Sequence, residues 1–192
     1  MDGIRGLIFD FDGTLADTMP LHWQAWQTVL SRHGLSLSEA EFYALGGVPA
    51  RDILRGLADR QGVQLDPIAA AGEKVAAYLP LIPQVKPIAP ILEIARRYRG
   101  RLPMAIATGG TRWVIGQVLE HLGIGDWFDA LVASDDVVRQ KPAPDIFLEA
   151  ARRLGVPPEH CRAFEDTELG LTAIRAAGMA AVDVREMLSA AR

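Results

Sequence analysis

Gly6-Leu7-Ile8-Phe9-Asp10-Phe11-Asp12-Gly13-Thr14-Leu15 sets the reading of the whole chain. An apolar run of strand length ends in a carboxylate, a second carboxylate follows two residues later, and Gly13-Thr14 turns the chain. In extended backbone, residues i and i+2 share a face, so Asp10 and Asp12 can lean into one site. Neighbouring carboxylates repel unless a cation separates them or one is held protonated. A surface turn is the structural alternative, because Asp-Gly after an apolar run is a common turn signal. The rest of the chain has to choose between the two.

Downstream the pattern is helical. Asp17-Thr18-Met19-Pro20 reads as a helix start with a capping side chain and an early proline. Leu21, Ala25, Val29 and Leu30 keep helical spacing until Gly34, and His22 and Trp26 share a second face of that helix. Ser38 with Glu41 forms a capping box for a segment ending near Leu45, which Gly46-Gly47 breaks. Ile53, Leu54 and Leu57 mark a helix ending near Gly62, and Asp66-Pro67 opens another with Val75 and Leu79 on its apolar side. Pro80, Pro83, Pro87 and Pro90 are too many for that helix to continue. Residues 17–85 are therefore expected to form an all-helical insert, the cap, between residues 1–16 and 86–192 of a core.

After the prolines, strand and helix alternate. Apolar strands are expected at 103–108, 130–133, 161–166 and 180–184, with helices between them through Ile91, Val114, Ile146 and the segment leading to Gly178. This implies an α/β fold, a Rossmann-like parallel sheet flanked by helices, with the cap inserted after the first strand.

A length of 192 residues, 49% hydrophobic and 23% charged, fits a globular protein with a substantial core. A net charge of −4 without a basic cluster argues against nucleic acid, and no apolar run reaches a membrane span. The lone Cys161 excludes an internal disulfide, and Asp2 with a strand behind it lacks the layout of a signal peptide, so a cytoplasmic setting is expected. The expected assembly is a monomer.

Ligands of open parallel sheets lie outside the carboxyl ends of the strands. Asp10 with Asp12, Thr108, Lys141, and Glu165 with Asp166 all fall there. Singly, Thr108 could start a turn, Lys141 could be a solvated cation and Glu165-Asp166 could cap a helix. Together, the carboxylates suit a hard, oxygen-seeking cation, and the hydroxyl and ammonium suit a phosphoryl group.

Asp10-Phe11-Asp12-Gly13-Thr14, Thr108, Lys141-Pro142-Ala143-Pro144-Asp145 and Glu165-Asp166 match in order the four motifs of the haloacid dehalogenase-like superfamily. The resemblance runs to Ala176-Ala177-Gly178-Met179, and the spacing resembles the β-phosphoglucomutase-like branch, nearest to its small sugar-phosphate phosphatases of the fructose-1-phosphate phosphatase type. It implies Asp10 as the nucleophile forming an aspartyl-phosphate and Asp12 as acid, then base. It implies Mg²⁺ on the Asp10 carboxylate, the Asp12 carbonyl and Asp166, with Glu165 either a ligand or an outer neighbour of the ion. Thr108 and the Gly109 amide would hold the phosphoryl group, and Lys141 would offset its charge.

Within the superfamily, an acid at position 12 favours phosphate esters, since the dehalogenases have no alkoxide to protonate. The cap residues His22 and Lys74 match positions facing the site in the mutases. Gly46 and Ala50, however, stand where the mutases place a lysine and a phosphate-binding arginine, and Arg51, next door, is the candidate substitute. The expectation is an Mg²⁺-dependent phosphatase for a small phosphorylated metabolite. A phosphosugar mutase and a non-catalytic sugar-phosphate-binding module are the alternatives.

Overall fold

In a computed structural model that describes residues 3–189, strand β1 (Gly6–Phe9) is completely buried and lies at the centre of a five-stranded sheet. The strand order is β5-β4-β1-β6-β7, all parallel, with β4 at Met104–Ala107, β5 at Ala130–Val132, β6 at Cys161–Glu165 and β7 at Ala180–Asp183. β1 pairs with β4 on one side and β6 on the other, Phe9 lying opposite Ile106 and Phe164. Burial on both faces explains why β1 and β4 are continuous apolar runs rather than alternating ones. Phe9 stacks on Phe164 with ring centres 4.8 Å apart.

The helices between strands follow their sequence signals closely. They are α5 (Ala89–Tyr98), α6 (Arg112–Leu122), α7 (Asp145–Leu154) and α8 (Glu168–Ala176). A short α9 (Val184–Ser189) follows β7, one element beyond the last strand that the sequence pattern implies. Two layers of core result: Leu7, Phe9, Ile91, Ile106 and Val118 on one face of the sheet, and Ile8, Ala105, Phe147, Ala163 and Ile174 on the other.

Between β1 and α5 lie α1 (Met19–His33), α2 (Glu39–Ala44), α3 (Ala50–Gln61) and α4 (Pro67–Tyr78). Trp26, Val29, Leu30, Phe42, Leu54 and Leu57 give them a core of their own, each fully buried aliphatic side chain contributing about 1.5–3 kcal/mol. The capping box of Ser38 and Glu41 forms as expected. Thr18 does not cap α1: its hydroxyl donates to Asp12 instead, at 2.6 Å, so a site contact takes the place of a helix cap.

The proline-rich exit also differs in detail. Leu79–Gln84 stays helical as a 3₁₀ turn that accommodates Pro80 and Pro83, and Lys86–Pro87 (β3) then pairs antiparallel with Ala16–Asp17 (β2). The two strands that connect α1–α4 to the sheet are thus tied to each other. At two residues each, they are too short to leave a periodic signal.

Candidate active site

Asp10 follows β1, Thr108 follows β4 and Glu165 ends β6, so three adjacent strands deliver them to one edge. The Asp10 amide still donates to the Phe164 carbonyl at 2.9 Å and the Thr108 amide to Val132 at 3.0 Å, extending the sheet pairing up to the site. Lys141 arrives from the segment between β5 and α7. Its ammonium, buried with the rest of the side chain, donates to Asp10 and to Glu165, both at 2.7 Å. The Asp10, Glu165 and Asp166 carboxylates each place an oxygen within 4.8 Å of the others.

This concentration of charge sets the ionisation of the group. Burial, reinforced by the Glu165 charge, holds Asp10 well above the usual carboxylate range, with Lys141 pulling the other way. Burial and Glu165 likewise push Asp166 up to about 7. For Lys141, burial is outweighed by Asp10 and Glu165, which keep it protonated. Both oxygens of Glu165 are hydrogen-bonded. One accepts from Lys141, and the other accepts from the Thr167 hydroxyl at 2.8 Å and the Thr167 and Asp166 amides at 3.0 and 3.2 Å. Asp10, Glu165 and Asp166 together offer carboxylate oxygens to a cation, with Asp10 and Glu165 sharing Lys141 and one Asp166 oxygen accepting from Thr14 at 3.1 Å.

Asp12 turns away from this cluster. Its carboxylate accepts from Thr18 and lies 3.2 Å from Nε2 of His22, whose Nδ1 is 2.8 Å from Nζ of Lys74. Because an ammonium only donates, His22 accepts at Nδ1 and donates from Nε2 to Asp12. Burial alone would raise Asp12, but the His22 and Thr18 hydrogen bonds and the Lys74 charge take it below its ordinary value. Burial brings Lys74 down to about 8 and, with the Lys74 charge, lowers His22. The ring of Tyr78 stacks on His22 with centres 4.0 Å apart.

Gly13 makes both halves possible. Its φ of +83° suits glycine, and a Cβ there would fall on the Asp166 carboxylate, with Cγ only 2.9 Å away. Between the two halves runs a cleft of about 580 Å³ lined by Asp10, Asp12, His22, Lys74, Lys141 and Gly109. The Gly46-Gly47 turn of the helical insert comes down onto it. A Cβ on Gly109 would stand 3.2 Å from the Gly47 carbonyl oxygen, and one on Gly46 would stand 3.0 Å from Thr167.

The structure thus brings together Asp10, Asp12, Lys141, Glu165 and Asp166, and on the helical side His22 and Lys74. Thr108 is fully buried beside them, its hydroxyl accepting from the Gly110 amide at 3.0 Å. Arg51 lines the cleft but its side chain is 57% exposed, with Asp52 as its neighbour at 3.9 Å. Thr14, Thr18, Thr167 and Tyr78 belong to the site and escaped the sequence reading. Thr14 lay inside the quoted motif, but its partner Asp166 is 152 residues away.

Residues 4–178 match the haloacid dehalogenase-like hydrolase family. The chain is 45% identical over 181 residues to fructose-1-phosphate phosphatase YqaB of Escherichia coli, covering 94% of this chain and 96% of the relative. It is 29% identical over 190 residues to a β-phosphoglucomutase of Bacillus subtilis, covering 94% and 83%. In structure it is similar to β-phosphoglucomutase of Clostridium difficile, with a TM-score of 0.85 and 27% identity over 94% of this chain and 84% of the other.

Proposed function

Since this chain belongs to the haloacid dehalogenase-like hydrolases, we propose that it is a phosphatase for small sugar phosphates, working through an aspartyl-phosphate on Asp10. The observation that carries this reading is the split between the two carboxylates of one loop. Asp10 faces Lys141 and the acidic cluster, whereas Asp12 faces His22, Thr18 and Lys74. Two carboxylates in unlike surroundings suit two unlike jobs.

Asp10 and Asp166 fit a hard divalent cation, Mg²⁺ by family resemblance, because their raised affinity for protons marks an uncompensated negative site. Bound there with the Asp12 carbonyl, the ion would supply positive charge that ionises Asp10 and neutralises phosphoryl oxygens. Glu165, hydrogen-bonded to Lys141, Thr167 and the Asp166 amide, takes the place of an outer neighbour of the ion.

An Asp10 oxygen attacks phosphorus, and the ester oxygen leaves with a proton from Asp12. The Asp12 carboxylate, low in proton affinity in the free protein, gains that proton when a phosphate dianion arrives beside it. It then takes a proton from the water that cleaves the aspartyl-phosphate. His22 and Lys74 hold Asp12 in place, while Lys141, the Thr108 hydroxyl and the Gly109 amide offset charge on the transferred group.

Residues 17–85 act in this reading as the cap over the cleft. Its cations are few: Lys74 is spent on His22, and Arg51 sits half in solvent. Gly46 brings no cation of its own, and a Cβ there would press on the Thr167 methyl group at 3.0 Å. The second phosphate of a bisphosphate therefore lacks the grip a mutase needs. The mutase reading is favoured by the His22–Lys74 pair and by the structural likeness to a β-phosphoglucomutase. Incubation with a panel of sugar phosphates and Mg²⁺ should release inorganic phosphate. Conversion of β-glucose 1-phosphate, with a trace of the 1,6-bisphosphate, mainly to glucose 6-phosphate would overturn the phosphatase assignment in favour of the mutase. Metal-independent absence of any turnover would leave a binding module.

A further inference from the structure

Gly170 sits at the third position of α8, in ordinary helical backbone without a positive φ, and it is buried. Nothing in its conformation asks for glycine, and glycine weakens a helix relative to alanine. Its surroundings do ask for it. A Cβ at this position would lie on the carboxylate of Glu165, with Cγ of Glu165 at 2.5 Å and the terminal atoms closer still.

Such an overlap is harmless when the neighbouring side chain is free to swing aside. Glu165 is 1% exposed and is held by Lys141, the Thr167 hydroxyl and two amides. The Gly170 amide itself donates to the Thr167 hydroxyl oxygen at 3.1 Å, so helix start, Thr167 and Glu165 form one clasp. At the far end of that clasp Lys141 reaches Asp10. Pushing the Glu165 carboxylate outward would carry the ammonium with it, away from the oxygen that attacks phosphorus.

We propose that Gly170 is a positioning residue: the missing side chain is the slot in which the Glu165 carboxylate lies, and that slot sets Lys141 against Asp10. The residue touches no substrate and acts through Glu165. Its rate consequence rests on the phosphatase reading above; its structural consequence does not.

The test compares Gly170→Ala, Glu165→Asp and the double variant, since aspartate is shorter by one methylene and leaves room for the added methyl group. On an aryl phosphate with Mg²⁺, Gly170→Ala should lower kcat by about 100-fold or more with KM changed less than about threefold, as for a group acting on the transition state. On the Glu165→Asp background the same change should cost less than about threefold, a non-additivity that a merely structural glycine would not produce. A readout free of turnover is the ¹H–¹⁵N signal of the Lys141 ammonium. It should be visible in the native protein, lost in Gly170→Ala and restored in the double variant. If Gly170→Ala alone fails to fold while the double variant folds, the slot is likewise supported. Equal losses on both backgrounds, an unchanged ammonium signal in Gly170→Ala, or a double variant that also fails to fold would overturn the proposal. A native protein without phosphatase activity would overturn the functional reading while the ammonium signal still tests the slot.

Discussion

Replacing Lys141 by methionine keeps the unbranched apolar stem, one atom shorter, and deletes the charge that Asp10 and Glu165 share. Both contacts are 2.7 Å and the side chain is 2% exposed, so solvent offers no substitute. A unit-charge pair about 4 Å apart is worth about 4 kcal/mol at an effective dielectric near 20. Breaking a buried ion pair from one side costs about 3–5 kcal/mol. Asp10, Glu165 and Asp166 are then left with oxygens within 4.8 Å and no internal cation. With about 2–4 °C lost per kcal/mol in a chain of this size, the metal-free Tm should drop by about 10 °C.

The sign of the pH dependence follows from Asp10. Its pKa in the folded protein lies above the ordinary carboxylate value, so the native state binds more protons than the unfolded one. Stability is lost as pH rises from the unfolded value through the folded one, and removing Lys141 enlarges that loss. The Tm deficit of Lys141→Met should therefore be greater at about pH 8 than at about pH 5.5. In steady-state assays kcat should fall about 10³- to 10⁴-fold, equivalent to about 4–5.5 kcal/mol of barrier. A variant within about tenfold of native kcat, with Tm unchanged at both pH values, would refute the assignment of Lys141 as the charge that holds Asp10.

Other perturbations separate the two halves of the site. Asp12→Asn should cut turnover by about 10²-fold or more while leaving Mg²⁺ affinity, read by calorimetry, within about threefold, because only its carbonyl is assigned to the ion. A fall in affinity as steep as the fall in rate would place its carboxylate on the metal. Mg²⁺ binding should weaken by about tenfold or more per pH unit below about pH 7, since Asp166, pushed up to about 7 by burial and Glu165, and Asp10, also raised by burial, must lose their protons to ligate. Affinity independent of pH between about 5.5 and 7 would contradict that. Tyr78→Phe removes a buried hydroxyl that has no hydrogen-bond partner among the described residues, so thermal unfolding should show stability unchanged or raised by about 1 kcal/mol. A loss of more than about 1 kcal/mol would show that the hydroxyl is satisfied.

Much of the fold was legible because its signals are local. The apolar runs Gly6–Phe9 and Met104–Ala107 are fully buried strands of a parallel sheet, and that class of strand writes itself as continuous hydrophobicity. Gly34, Gly62, Gly123 and Gly155 stop their helices in left-handed conformation, where glycine is favoured. The candidate site was legible for a topological reason: strand ends in such a sheet converge, so acids, a hydroxyl and a lysine placed there meet.

Distance along the chain hid the remainder. Nothing at Thr18 announces that its hydroxyl prefers Asp12 to the amides of its own helix. The Tyr78 ring under His22 lies 56 positions away from it, and its aromatic character reads equally well as core. The family motifs leave Glu165 open as a ligand or an outer neighbour of the ion; the coordinates add its bonds to Lys141, Thr167 and the Asp166 amide, which the sequence does not announce. Arg51 shows the converse, a cation adjacent in sequence to a binding position that the helix start turns largely toward solvent.

The central claim is that an oxygen of Asp10, and of no other carboxylate in the cluster, takes the phosphoryl group. Quenching the enzyme during turnover of a sugar phosphate with Mg²⁺, reducing acyl phosphates with borodeuteride and sequencing the peptides by mass spectrometry tests it directly. The prediction is deuterated homoserine at position 10 alone. Deuterium at position 12 or 166, or phosphate release with no reducible intermediate under conditions where a known aspartyl-phosphate enzyme is trapped, would contradict it.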